Sequence, residues 1–271
     1  MALVPFRDPR TGGSRSVFDR EGGLLGNVSL LDLLDNTRKR IVRALLAVAI
    51  GALVAFTFIN QIMSFLLAPA RQALPAGNRL IYTQPGEAFG LYIQVALIMG
   101  VVFSLPFLMY QIWRVISPIV GPSVKRFAVP FVVMSTVGFV VGAAFNHYIV
   151  FKYMMTFFAS FNTPDLVFMP KLEDVFDLYT KMLLGMGAVF QMPTVVFFLA
   201  KMGLVTARFL WRSFRYAVLI IFIVAAVITP TGDMVTQSIF AAPMIGLYLL
   251  SIVIAWVFGR KRPEPAADTD D

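Results

Sequence analysis

One histidine, His147, and no cysteine occur in this chain of 271 residues. Without cysteine there is no thiolate nucleophile, disulfide or thiolate metal site. The side chains that remain for chemistry are ionic and amide groups. Asp32 and Asp35 stand beside a basic run, Arg38, Lys39, Arg40 and Arg43. Gln94 and Gln191 sit inside long apolar stretches, and Glu87 opens one of them. Such groups recognise a ligand or a neighbouring helix. They do not make the cluster of acids, histidine or cysteine at one depth that a membrane enzyme needs. No cofactor and no metal is expected, and the chain is not expected to be an enzyme. Gln191 has two readings. An intramembrane polar group is a functional candidate by default, and it can equally be an interhelical hydrogen bond, worth about 0.6–2 kcal/mol. His147, beside Asn146, could titrate near neutrality. With no motif around it, a packed or interfacial histidine is the preferred reading.

The elements that position these groups follow from the charge pattern. Five stretches, 44–70, 88–113, 127–151, 182–200 and 234–259, carry no Asp, Glu, Lys or Arg, and a shorter one covers 216–232. About 20 apolar residues cross a bilayer core as a helix, and lipid leaves backbone polar groups to satisfy one another. The chain is 58% hydrophobic and 14% charged, so a polytopic all-α membrane protein is expected. Six spans are placed at about 42–63, 88–113, 127–151, 180–200, 216–229 and 236–257. The fifth and sixth are expected to be short, because only the 14 residues Tyr216 to Thr229 precede Pro230 in the tight turn Thr229-Pro230-Thr231-Gly232-Asp233, so the hairpin should turn within the membrane thickness.

Orientation follows from the bases. With the first 43 residues in the cytoplasm, all but five of the 23 Lys and Arg fall on that side. The exceptions are Arg71, Arg79, Lys152, Lys171 and Lys181. The positive-inside rule therefore predicts a multi-pass chain with both termini in the cytoplasm. The net charge of +8 sits beside apolar runs, where orientation signals sit, so nucleic acid is not an expected partner and the lipid bilayer is. Trp113, Trp211, Tyr148, Tyr179 and Tyr216 are expected in an interfacial belt.

Residues 1–27, rich in glycine and arginine, are expected to be a disordered cytoplasmic extension, and residues 260–271 a disordered cytoplasmic tail. Residues 28–259 form the expected membrane domain. Ser29-x-x-Asp32 has the form of a capping box, and Val28 and Leu33 that of a hydrophobic staple. A short interfacial helix is expected there, continuing into the first span.

Five segments in chain order resemble the twin-arginine translocase subunit TatC. They are LLDLLDNTRKRI at the first span, PGEAF at 85–89, PFLMYQIWRVISPIV at 106–120, GAVFQMP at 187–193 and ITPTGDMVTQSIFAAPM at 228–244. The resemblance implies a curved six-helix bundle without catalytic chemistry. It implies a receptor for twin-arginine signal peptides on folded proteins, moved across the membrane by the proton-motive force. The implied partners are single-span TatA- and TatB-type proteins and further copies of the chain.

The same resemblance implies the site residues. Signal recognition falls on Asp32, Asp35, Asn36, Arg38, Arg40, Val124, Lys125 and Arg126. Gln191 and Gln94 fall on the concave face. Pro69, Glu87, Thr229, Pro230, Asp233 and Gln237 fall on the outer side, where partners are contacted. Three positions depart from the family pattern: Asn36, Val124 and Gln94. Asn36 and Val124 stand where the family places glutamates that hold the arginine pair. A guanidinium wants a planar two-oxygen acceptor; Asn36 offers one neutral oxygen and Val124 offers none. Gln94 replaces a frequent lysine. Two readings follow: a working receptor with shifted acceptors such as Asp32 or Asp35, or a divergent paralogue or scaffold lacking standard twin-arginine recognition. A small-solute transporter is a remote third, since no inverted repeat is visible.

Overall fold

The computed structural model describes residues 30–74, 80–120, 127–163, 167–229 and 233–259, and of 30–37 and 116–120 the backbone alone. Two units divide the chain, 1–42 and 43–271. The described part of the first is the opening of helix α1 (Leu30–Thr57). Val28 and Ser29, the proposed staple and cap residues, lie outside the described residues, as does the side chain of Asp32.

In the second unit the chain forms α2 (Ile59–Ala73), α3 (Glu87–Val120) and α4 (Ala128–Phe145). A π-helical turn, Asn146–Val150, joins α4 to α5 (Phe151–Ala159). Then come α6 (Leu172–Val189), α7 (Met192–Lys201), α8 (Ala207–Arg212), α9 (Phe214–Ile228) and α10 (Met234–Phe258). Five segments are long and apolar enough to cross a membrane: Arg38–Thr57, Glu87–Val115, Ala128–Ala159, Leu172–Lys201 and Met234–Phe258. Helix α9 is the shorter apolar one, with 15 residues. At ~1.5 Å per residue it reaches roughly 22 Å, less than the ~30 Å hydrocarbon core. The sixth helix corrects the expectation of shortness. Helix α10 has 25 residues, enough for roughly 37 Å. The apolar run continues to Phe258, so only the fifth helix is short.

Several of the helix boundaries have a chemical cause. Pro193, near the start of α7, has no N–H to extend the α6 ladder. Phe190 and Gln191 therefore form a turn between α6 and α7. The π turn adds one residue per turn at Asn146–Val150 and rotates the side chains that follow. Asp233 starts α10 by accepting from the Thr236 amide at 2.7 Å. Thr206 caps α8 through the Phe209 amide at 3.3 Å.

The core is dominated by methionine and phenylalanine. Met154, Met182, Met186, Phe151, Phe176 and Phe240 are wholly or almost wholly buried. Trp113, Phe131 and Phe198 make a second cluster, with ring centroids 4.8–5.5 Å apart. This corrects part of the expected aromatic belt: Trp113 is 5% exposed and Tyr179 is 3% exposed. Tyr179 hydrogen-bonds inside the protein, and Trp113 packs against two phenyl rings. Trp211, Tyr148 and Tyr216 are exposed.

Helices α4 and α6 run antiparallel along a seam of small residues. Ser135, Gly138, Gly142 and Asn146 recur every three or four positions on α4 and just beyond it. The Ser135 carbonyl accepts from Gln191, an added Cβ at Gly138 would meet the Phe190 carbonyl oxygen at 3.0 Å, and one at Gly142 would meet the Met186 oxygen at 2.9 Å. The contacts therefore run in opposite directions, 135, 138, 142 along α4 against 191, 190, 186 along the end of α6 and the turn after it. Small residues allow this close backbone approach where lipid provides no hydrophobic drive between helices.

Candidate functional site

Helices α6, α7, α9 and α10 enclose an apolar groove of about 390 Å³. Val189, Val195, Ile220, Val224 and Met244 supply walls, and Gln191 is its only amide side chain. The turn between α6 and α7 places Gln191 at the groove. Its Nε2 donates to the Ser135 carbonyl at 2.8 Å, which leaves the side-chain oxygen as the remaining acceptor of the amide. Val195 and Ile220 are about half exposed, so the groove opens laterally. Such a surface can pack apolar side chains, with one hydrogen-bonding group to fix their register.

Gln94 does not share this groove. Its Nε2 donates to the Asp177 carboxylate at 3.1 Å and so ties α3 to α6. At the short hairpin, Thr229 is buried, its hydroxyl donating to the Ala225 carbonyl at 2.7 Å. Gln237 donates to the Phe222 carbonyl at 2.8 Å and so locks α10 to α9. Pro230 lies outside the described residues. Pro69 is buried within α2.

Glu87 gathers the loops at one end of the bundle. One of its oxygens accepts from the Thr83 and Gln84 amides at 2.8 and 3.3 Å, and the other from the Glu173 amide at 3.3 Å. The neighbouring Ile81 bridges the 170–172 segment, donating to the Pro170 carbonyl and accepting from the Leu172 amide. Glu87→Ala should therefore quicken amide exchange at Thr83, Gln84 and Glu173 together and lower the melting temperature. Glu87→Gln, which keeps an acceptor, should fall between. Unchanged exchange at those three amides would refute the clamp.

His147 is packed. It is buried, its Nδ1 lies 3.1 Å from the Tyr179 hydroxyl, and its ring stacks on Phe65 at 4.1 Å. Beside it Asn146 is wholly buried, with no hydrogen-bond partner for either side-chain atom. The sequence pointed to neither Asp177 nor Ser135 as partners of the two glutamines. Gly138-x-x-x-Gly142 was the signal available for the seam.

Of the residues implied for signal recognition, Arg38 is exposed and Arg40 half-buried on α1. The side chains of Asp32, Asp35 and Asn36, and the whole of Val124, Lys125 and Arg126, lie outside the described residues.

The sequence model of the Sec-independent protein translocase protein (TatC) family matches residues 32–243. A TatC of Desulforapulum autotrophicum is 40% identical over 241 residues, covering 88% of this chain and 89% of that protein. A TatC of Koribacter versatilis is 37% identical over 242 residues, covering 88% of each. A crystal structure of the twin arginine translocase receptor TatC superposes with a TM-score of 0.71 at 29% identity, covering 82% of this chain and 97% of that one. A second, determined in the detergent DDM, gives 0.72 at 29% identity, with 82% and 99% covered. Profile, relatives and fold agree over nearly the whole length, and the chain belongs to the TatC family of Sec-independent protein translocase proteins, a family of multi-pass membrane components of protein translocation rather than of enzymes.

Proposed function

We propose that this chain acts as the receptor subunit of a twin-arginine translocase, binding the signal peptides of folded proteins. The observation that carries the mechanism is the lateral apolar groove with Gln191 as its single amide. A helix entering it would bury apolar side chains against α7 and α9 and offer one donor to the Gln191 oxygen. The signal's apolar segment and the single span of a TatA- or TatB-type partner both have that chemistry. Helix α9, too short for the hydrocarbon core, thins the bilayer locally or is sheltered by such a partner. The proton-motive force supplies the energy.

The distribution of lysine and arginine supports both termini in the cytoplasm, flanking a membrane domain over 28–259. Signal contacts then fall to two cytoplasmic segments, 30–43 and 114–126. Asp32 and Asp35 are the carboxylates available in the first. Arg38 and Arg40 in the first segment, and Lys125 and Arg126 in the second, are the basic residues assigned to recognition. Pro69, Glu87, Thr229, Pro230, Asp233 and Gln237 belong to the opposite end, where partner helices pack.

Photo-crosslinking of a twin-arginine precursor in membranes, from probes at Asp35 and Val124, tests the receptor reading. Crosslinks are expected that vanish when the precursor's arginine pair becomes lysines, and Asp32→Ala or Asp35→Ala should then weaken them. Crosslinks indifferent to the pair, with the chain folded and partners present, would leave the divergent-paralogue reading that Asn36 and Val124 favour.

A further inference from the structure

A second cavity, of about 650 Å³, lies where α2 ends and α3 begins, away from the Gln191 groove. Its polar lining is Asn60, Ser64, Arg71, Tyr82 and Tyr92. Arg71 stands in the last turn of α2 and is exposed. Among the described residues it pairs with no carboxylate, and no acid lines the cavity. Two acids adjoin that lining in sequence, Glu87 beside Ala88 and Glu173 beside Leu172; both oxygens of Glu87 are occupied by backbone amides, and the exposed Glu173 does not line the cavity. Tyr92 donates to Asn60 at 3.4 Å, which holds one side of the cavity in shape. Its far wall, Leu80 to Tyr82, is fixed by the Ile81 bridge to the 170–172 segment. Met63, Leu67 and Leu172 make the rest apolar.

Among the described residues the lining offers one guanidinium, several hydroxyls and an apolar wall, at the start of membrane helix α3, and these match one chemistry. An anionic phosphate ester needs charge-assisted donors, and its hydrocarbon chain needs apolar surface. The volume lies within the ~300–1,000 Å³ range of small-molecule sites. We infer that this cavity binds the headgroup of an anionic phospholipid, its phosphate on Arg71 with Tyr82, and the first part of an acyl chain along Met63 and Leu67. The inference stands apart from signal recognition, because none of the residues assigned to the signal or to partner helices lines the cavity.

The test uses the full chain in nanodiscs of equal phosphatidylglycerol and phosphatidylcholine, with retained lipid read by native mass spectrometry. The native chain should retain phosphatidylglycerol about tenfold over phosphatidylcholine, the scale of one charged hydrogen bond. Arg71→Gln should erase that preference, Arg71→Lys should keep part of it, and Tyr82→Phe should lower it. Arg208→Gln, at an exposed arginine outside the cavity, should leave it unchanged. Millimolar glycerol 3-phosphate should not displace the lipid; displacement would assign the site to a soluble phosphate and overturn the lipid source. Retention at the bulk ratio, or a preference untouched by Arg71→Gln, would overturn the site. A lower melting temperature for Arg71→Gln with unchanged retention would reduce Arg71 to neutralising the negative end of α2.

Discussion

Gly142→Leu should strongly destabilise the membrane domain. A Cβ there would lie 2.9 Å from the Met186 carbonyl oxygen and equally close to the Phe190 side chain. Two opposing effects are present. A side chain in place of glycine raises helix propensity, by up to about 1 kcal/mol for alanine. Against that, overpacking costs about 1–3 kcal/mol or more when the neighbour cannot yield. Here the neighbour is backbone on a second helix, so yielding means separating α4 from α6. Separation breaks the Ser135–Gln191 hydrogen bond and loosens the buried Asn146–His147 turn further along the seam. Overpacking therefore wins for alanine and by more for leucine. Thermal unfolding in detergent should show a drop of about 2–12 °C for Gly142→Leu, taking 2–4 °C per kcal/mol for a chain of this size. Gly138→Ala, with 3.0 Å of room, should cost less than Gly142→Ala. A leucine variant melting with the native chain would mean that α4 and α6 are not locked at this crossing.

The seam marks how far the sequence could be read. Uncharged runs and the placement of bases were enough for an all-helical membrane protein, because lipid admits few other solutions. They put the last span at about 236–257, within two residues of α10 at each end, and its expected shortness came from the hairpin rather than from the run itself. The boundary of α10 depends on where the apolar run meets water, and Pro243 inside it does not end the helix. Spacing could not give Trp113 and Tyr179 their places. An aromatic near the end of an apolar run serves equally as interfacial anchor or as core, and tertiary partners decide: Phe131 and Phe198 for Trp113, and His147 for Tyr179. Gln94 and Gln191 looked alike as amides in apolar surroundings. Only packing shows that one is tied to a carboxylate and the other to a carbonyl at the rim of a groove.

Gln191 is where structure and function should come apart by measurement. Its amide holds α4 through the Ser135 carbonyl, and its oxygen remains for a helix entering the groove. Gln191→Leu removes both. If the residue is only interhelical glue, stability should fall by about 0.6–2 kcal/mol and transport should fall only as far as the folded population does. If the oxygen serves a docked helix, transport in vesicles should be lost beyond the loss of folded protein. Crosslinks from Val195 or Ile220 to the partner span should be lost with it. Gln191→Glu separates the two roles. An ionised carboxylate keeps acceptors for the incoming helix and cannot donate to Ser135, so it should destabilise the seam yet retain docking. The expected order for docking is therefore Gln, then Glu, then Leu, while melting temperature should place both variants below the native chain. Equal docking by the leucine and glutamate variants would remove Gln191 from recognition and leave it as a tie between α4 and the α6–α7 turn.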